Sequence, residues 1–119
     1  MSGLNDTSKN LMLTALGAVA GFASLHTADP GTTGTSEVTG GTPAYARKAV
    51  TWDTAATHVL SAKATFPAFD VPAATTISYL GYWSLATGGT FYGGFALSSP
   101  ETYGGQGTYA VTAASITNN

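Results

Sequence analysis

His26, Asp29 and Glu37 are the residues of this 119-residue chain whose types and proximity come nearest to a ligand set. A metal ion needs three or four donors converging in fixed geometry. His26 and Asp29 lie three apart where a strand-like run passes into a loop, so their side chains need not converge, and the second histidine, His58, is distant. Turn chemistry alone explains Asp29-Pro30-Gly31: the aspartate accepts backbone hydrogen bonds and the proline presets φ. No metal or other cofactor is expected.

Other chemistries fare no better. "GTTGTSEVTGG" is rich in glycine but lacks the Lys-Ser/Thr ending of a phosphate-binding loop. Asp53, Asp70 and Glu101 could supply the paired carboxylates of a glycosidase, but nothing in their spacing brings two together, and each sits beside a turn. Serine, histidine and aspartate all occur, but without a Gly-x-Ser-x-Gly elbow they do not indicate a nucleophile. Cysteine is absent, which excludes disulfides, thiolate metal sites and a Cys nucleophile. The chain is therefore expected not to be an enzyme.

Aromatic residues crowd the C-terminal half: Tyr79, Tyr82, Trp83, Phe91, Tyr92, Phe95, Tyr103 and Tyr109. Most are expected in the core and on strand faces. Tyr82, Tyr92 and Tyr103 are candidates for a glycan-binding or subunit-binding face, because tyrosine buries area with little entropy loss and keeps a polar tip. Arg47-Lys48 is the one adjacent basic pair and reads as a solvated or subunit-facing salt-bridge pair.

Only 8% of the residues are charged, whereas 44% are hydrophobic and 11% aromatic, and the net charge is -2. A disordered chain would carry more charge and fewer large apolar residues. A surface this poor in charge suits a protein packed against copies of itself or against partners. Four scattered Lys and Arg make no basic patch for nucleic acid. No apolar run is long enough to span a bilayer.

The elements that must position these residues can be read from periodicity. Leu4, Leu11, Met12, Ala15, Leu16 and Val19 recur at helical spacing, with Asn5 to Ser8 as candidate caps, which predicts a helix over about 5–17. "KNLMLTALGAVAGFAS" resembles a weak signal peptide, but Asp6 in its head and Thr14 and Gly17 in its apolar run favour an ordinary helix. The period then falls to two. "GFASLHT" is a strand with Phe22, Ser24 and His26 on one face; "ADPGTTGTSEVTGGTP" is a loop; "AYARKAVTW" is a strand. "HVLSAKATFPAFDVP" is extended, and Pro67 marks an edge or bulge. "TTISYLGYWSL" is the strongest strand, with Ile77, Tyr79, Gly81, Trp83 and Leu85 on one face. "ATGGT" is a hairpin loop, "TFYGGFAL" a strand, "SSPETYGGQG" a turn region and "TYAVTAASI" a last strand. The expected fold is mainly β: a small antiparallel β-sandwich, jelly-roll or Ig-like, over about 22–117 with one N-terminal α-helix, the whole of 1–119 forming one domain.

"SLHTADPG", "EVTGG" with "YARKAVTW", and "GYWSLATGGTFYGG" carry a wider likeness. With them the chain, over nearly its whole length, resembles a family of short virion proteins of tailed phages and prophages, including those of actinobacteria, commonly labelled tail fibre or minor tail proteins. The resemblance implies a non-enzymatic structural component of the virion, associated with the tail and assembled in the host bacterial cytoplasm. It brings no catalytic motif. Such small β-rich phage modules are reused, so a capsid decoration protein bridging capsomers is the alternative, and a host-glycan-binding module is an alternative of another class. Expected partners are other virion proteins and further copies of the chain, with cell-surface glycan in the last reading. Candidate docking residues are Leu11 and Leu16 on the helix, Thr33 and Val38 on the long loop, and Arg47 and Lys48 beyond it.

Overall fold

A computed structural model of the chain describes residues 4–62, 68–111 and 115–117. Among these are one helix and eight strands: α1 (Asp6–Val19), β1 (Phe22–His26), β2 (Lys48–Ala49), β3 (Val59–Ser61), β4 (Phe69–Val71), β5 (Thr75–Trp83), β6 (Phe91–Tyr103), β7 (Gly107–Tyr109) and β8 (Ser115–Thr117). The fold is mainly β, with antiparallel sheets and the helix near the N-terminus. One sheet runs β2-β1-β5-β6, and two ribbons pair β3 with β8 and β4 with β7.

The cap of α1 follows from composition. Asn5 Oδ1 accepts the Ser8 N–H at 2.9 Å, and Asp6 sits in the first turn at the positive end of the helix dipole. Gly17 does not stop the helix, which runs two residues past it; the Ala20 N–H then bonds the Leu16 carbonyl at 2.8 Å. The docked face also differs from the expected one. Leu13 is buried with Ala55 and Leu60, and Leu16 is half-buried against the main core. Leu11, Met12 and Val19 stay 68%, 54% and 48% exposed. The helix is apolar on two sides, and the described residues bury one of them.

The main core lies on one face of the four-stranded sheet. Ala23 and Leu25 of β1 and Leu80 and Tyr82 of β5 pack with Phe69 and Val71 of β4 and with Val38, Val50 and Val111. Each large apolar side chain buried here contributes about 1.5–3 kcal/mol. Strand β5 is buried on both sides at its C-terminal half, where Leu80, Gly81, Tyr82 and Trp83 are all covered. Ile77 joins Leu80 and Tyr82 in the core, beside the point where the register with β6 shifts, and Leu85 is exposed beyond the strand end, so neither shares a surface with Trp83.

Other expectations change as well. The run 108–116, read as one last strand, is divided between β7 and β8, which pair with β4 and β3 respectively. The run 44–52 forms a strand only at Lys48–Ala49, because Tyr45 and Arg47 are anchored to Glu37 of the loop rather than paired in a ladder. Strand β6 continues through Ser98-Ser99-Pro100 to Tyr103 instead of turning there; the irregularity is absorbed as register shifts against β5. The hairpin at 84–90 forms as read, closed by the Ser84 N–H to the Thr90 carbonyl at 3.0 Å. Pro67 and the bulge expected at it lie outside the described residues.

Candidate functional site

The second face of the sheet holds the polar chemistry. Ser24 and His26 are two apart on β1 and therefore share a face; cross-strand register puts Gly81 opposite Ser24 and Trp83 opposite Phe22. The segment after β1 folds back over this face. Its Thr27 N–H bonds the Ser36 carbonyl at 2.9 Å and the Val38 N–H bonds the Leu25 carbonyl at 3.0 Å, while Gly34 and Thr35 close a turn on the Pro30 carbonyl. Pro30 is buried, and Gly34, with φ +78°, lies against the Trp83 ring so closely that a Cβ would overlap it. Only glycine takes that backbone conformation freely and leaves that room.

Under this cover a hydrogen-bond chain forms. The Trp83 Nε1–H donates to Ser24 Oγ at 2.9 Å, Ser24 Oγ lies 2.7 Å from His26 Nε2, and His26 Nδ1 lies 2.8 Å from the Thr35 carbonyl. A carbonyl only accepts, so Nδ1 carries the proton, Nε2 accepts, and the Ser24 hydroxyl donates to it. Every polar atom is satisfied by the neutral imidazole. Burial holds the His26 pKa below its ordinary value; the Thr35 bond and the Glu37 charge oppose that, and the Arg47 charge adds to it.

A serine hydroxyl on a histidine Nε2 is the geometry of an activated nucleophile. Here both residues are 0% exposed, and Trp83 occupies a lone pair of the serine oxygen. No described cleft is lined by either residue. The arrangement acts as a lock between strand and loop.

A second knot closes the lid. Arg47 makes a two-pronged bond to Glu37, Nε to Oε2 and Nη2 to Oε1, each at 2.9 Å. Its Nη1 donates to the Leu85 and Gly88 carbonyls at 2.9 and 2.8 Å, and its guanidinium carbon stands 3.6 Å from the Trp83 ring centre. Tyr45 Oη donates to Glu37 Oε2 at 2.8 Å and accepts the Leu25 N–H at 2.9 Å, and burial raises its pKa. Bidentate and stacked together, this is a site where lysine could not replace arginine.

The residues expected to dock or ligate are thus dispersed. Arg47 and Val38 are turned inward, which corrects the reading of them as surface contacts: the Arg47 side chain is only 8% exposed because its partners are the half-buried Glu37, two carbonyls and an indole. Leu16 and Lys48 are half-buried, and Leu11 and Thr33 are exposed. Asp29 caps the Gly31 N–H at 2.9 Å, away from the Glu37 knot and the His26 chain, so the three residues do not converge. Among the described residues no three His, Asp or Glu side chains are grouped to hold a metal, and no helix is long and apolar enough to cross a membrane.

The tyrosine trio divides as well. Tyr82 and Tyr92 line one cleft of about 270 Å³ together with Leu16, Phe95 and Ile116. Tyr92 is exposed at its rim; Tyr82 is buried, its phenol has no hydrogen-bond partner among the described residues, and burial raises its pKa. Tyr103 lies elsewhere, its Oη donating to the Thr108 carbonyl at 2.9 Å across the β6–β7 turn. The sequence showed Ser24 and His26 on one face, but the partners that make the lock, Trp83, Thr35 and Gly34, become visible only with register and loop path.

The family model described as Podophage GP4 fiber I protein gp80 matches residues 4–119 of the chain. No curated protein matches the chain.

Proposed function

The chain belongs to the podophage GP4 fiber I protein gp80 family, a family of short-tailed-phage fibre proteins, and from that premise we propose that it works as a non-enzymatic fibre module that associates with its own copies and docks on neighbouring tail proteins. The observation that carries the reading is the family match across 116 of the 119 residues, from 4 to 119. It favours the fibre over capsid decoration. The physical features agree: the strongest ion pair is internal, and large apolar side chains of α1 are left uncovered. The Ser24–His26 pair is closed in on every side, as a structural role requires.

Location tests this directly. A tag on the C-terminus, visualised by gold labelling of purified particles, should decorate the tail or its fibres. Label spread over the head would overturn the fibre reading in favour of decoration, and particles lacking the protein altogether would overturn the virion assignment.

The cleft under Tyr92 favours a second reading, in which the module also holds a host-surface sugar ring. An orphaned phenol beside an aromatic-lined cleft of about 270 Å³ suits a hydroxyl-bearing ring. Tyr92→Ala would then impair adsorption while particles assemble normally.

A further inference from the structure

The tip of the lid, residues 28–36, is a flap with its own internal bonds. The Gly34 and Thr35 N–H groups donate to the Pro30 carbonyl at 3.0 and 3.1 Å, and Asp29 Oδ1 accepts the Gly31 N–H. Its stem is the pair Thr27 and Ser36. Beyond the stem, among the described residues, one hydrogen bond ties the flap to the sheet, from His26 Nδ1–H to the Thr35 carbonyl at 2.8 Å. The rest of its hold is contact: Pro30 is buried against Gly94, and Gly34 lies on the Trp83 ring. The Glu37–Arg47 knot and the bond from the Val38 N–H to the Leu25 carbonyl lie outside the flap, so both can persist when it lifts.

The titratable group that the flap covers is His26, and its site is built for the neutral ring. Nδ1 carries the proton and Nε2 accepts from Ser24. A proton added at Nε2 would aim a second donor at Ser24 Oγ, which already accepts the Trp83 Nε1–H, and would leave the Ser24 hydroxyl without its acceptor. The other charged and titratable groups facing the ring are Glu37 across a bridge from His26, Arg47 and Tyr45 bound to that carboxylate, and Tyr79 opposite His26 on β5. Strand β6 brings only the Phe91 ring, 5.9 Å away. The Thr35 bond and Glu37 favour the charged ring, but burial outweighs them.

We propose that residues 28–36 are an acid-released flap: a proton on His26 lifts this segment from the sheet as a unit while the rest of the fold is kept. Lifting lets water reach the imidazolium and uncovers the apolar surface of Pro30, Trp83 and Phe91. With the flap open, His26 returns to its ordinary value of 6.5; with it closed, it lies below. The open form therefore binds the proton more readily, and its share grows as pH falls below 6.5, by at most about tenfold per unit. From pH 7 to pH 5 the largest possible rise is about 25-fold.

Thiol labelling of the full chain tests this. The chain has no cysteine, so Pro30→Cys places a single thiol on the covered side of the flap and Thr33→Cys places one on its exposed side. A disulfide reagent that reacts in mild acid labels both, and the rate at position 33 corrects for thiol ionisation. The ratio of the rate at position 30 to that at 33 should rise several-fold, and by no more than about 25-fold, from pH 7 to pH 5. Amide-exchange protection along β5 should stay unchanged over the same range. His26→Gln should make the ratio flat, and His58→Asn should leave the rise in place. A flat ratio in the histidine-bearing chain would overturn the flap, as would a rise matched by loss of protection along β5, which is global unfolding. An equal rise in His26→Gln, or its loss in His58→Asn, would assign the effect to another group and overturn it too. Where His26→Gln does not fold, the onset decides: a rise beginning near pH 6.5 supports His26, and one confined below about pH 5 belongs to a carboxylate and overturns the flap.

Discussion

Replacing Ser24 by alanine tests whether the buried hydrogen-bond chain is a structural lock. The substitution removes one oxygen and leaves two buried groups unpartnered: the Trp83 Nε1–H that it accepted at 2.9 Å and the His26 Nε2 to which it donated at 2.7 Å. Ser24 and His26 are fully enclosed, so water cannot substitute without opening the lid. Each orphaned group costs about 1–3 kcal/mol, so the change should cost roughly 2–5 kcal/mol. Against a total stability of about 5–15 kcal/mol for a domain, that is a large share. It corresponds to a midpoint lowered on the order of 10 °C at this chain length. Urea unfolding followed by circular dichroism gives the value, and a double-mutant cycle with Trp83→Phe tests its origin. Phenylalanine brings no N–H, so Ser24→Ala should cost about 1–3 kcal/mol less in that background. A cost below about 0.5 kcal/mol, the level of an ordinary surface change, would refute the lock. Equal costs in the two backgrounds would refute the Trp83 link.

Acid should loosen the same lock. The folded His26 pKa lies below its unfolded value near 6.5, so the unfolded chain binds the extra proton first; the stability His26 contributes is complete above about pH 6.5 and is lost as pH falls below it. The thermal midpoint should drop between pH 7 and pH 5, and His26→Gln, although less stable throughout, should show a shallower drop; parallel curves would assign the effect to other groups. Gly81→Ala should destabilise by about 1–3 kcal/mol, because its Cβ would stand 2.7 Å from both Ser24 Oγ and His26 Nε2. Gly21→Ala, whose Cβ meets nothing within 4 Å, is the control for that measurement and should be near neutral. Arg47→Lys should lower the melting temperature more than Lys48→Arg does, since lysine keeps the charge but loses the fork to Glu37 and the stack on Trp83; equal shifts would mean the knot contributes charge alone.

The local signals in the sequence were reliable where a single period ran uninterrupted. The cap at Asn5, the alternation of β1, the long β5 and the Gly-Gly hairpin at 88–89 all formed as composition predicts. The misreadings share a cause in tertiary contacts that a local pattern does not encode. Alternation over 44–52 is real, but Tyr45 and Arg47 answer to an acid eight and ten residues upstream, and only two residues remain for the ladder. Ser98-Ser99-Pro100 has the composition of a turn, yet β6 runs through it because a bulged edge strand tolerates proline and serine. The helix gave the opposite difficulty: with apolar residues on two sides, spacing alone could not say which side the body would cover. The lock needed the register that sets Gly81 against Ser24, and nothing within either strand reports that register.

The placement of charge bears on the proposed assembly. A chain with four basic residues and six acidic ones has little charge to put on its surface. This one turns its best-matched pair inward, where Glu37 and Arg47 fix the loop to Trp83 and to the 85–88 turn. A free soluble domain gains solubility from exposed charge and from covered apolar side chains. This fold does the reverse at two places, with charge under the lid and Leu11, Met12 and Val19 outside. Burying an ion pair is weak as a source of stability, but it holds a geometry, and the geometry held here is that of a glycine- and threonine-rich loop that would otherwise be mobile. A rigid loop and an uncovered helix side suit a unit that is repeated against neighbours, because each contact then starts from an ordered surface and loses less entropy on forming. The same logic predicts that loosening the lid, by Glu37→Gln for instance, should impair incorporation into particles more than its effect on the melting temperature alone would suggest. Incorporation that simply tracks stability across Glu37→Gln, Ser24→Ala and Gly81→Ala would show that the lid serves folding and not assembly.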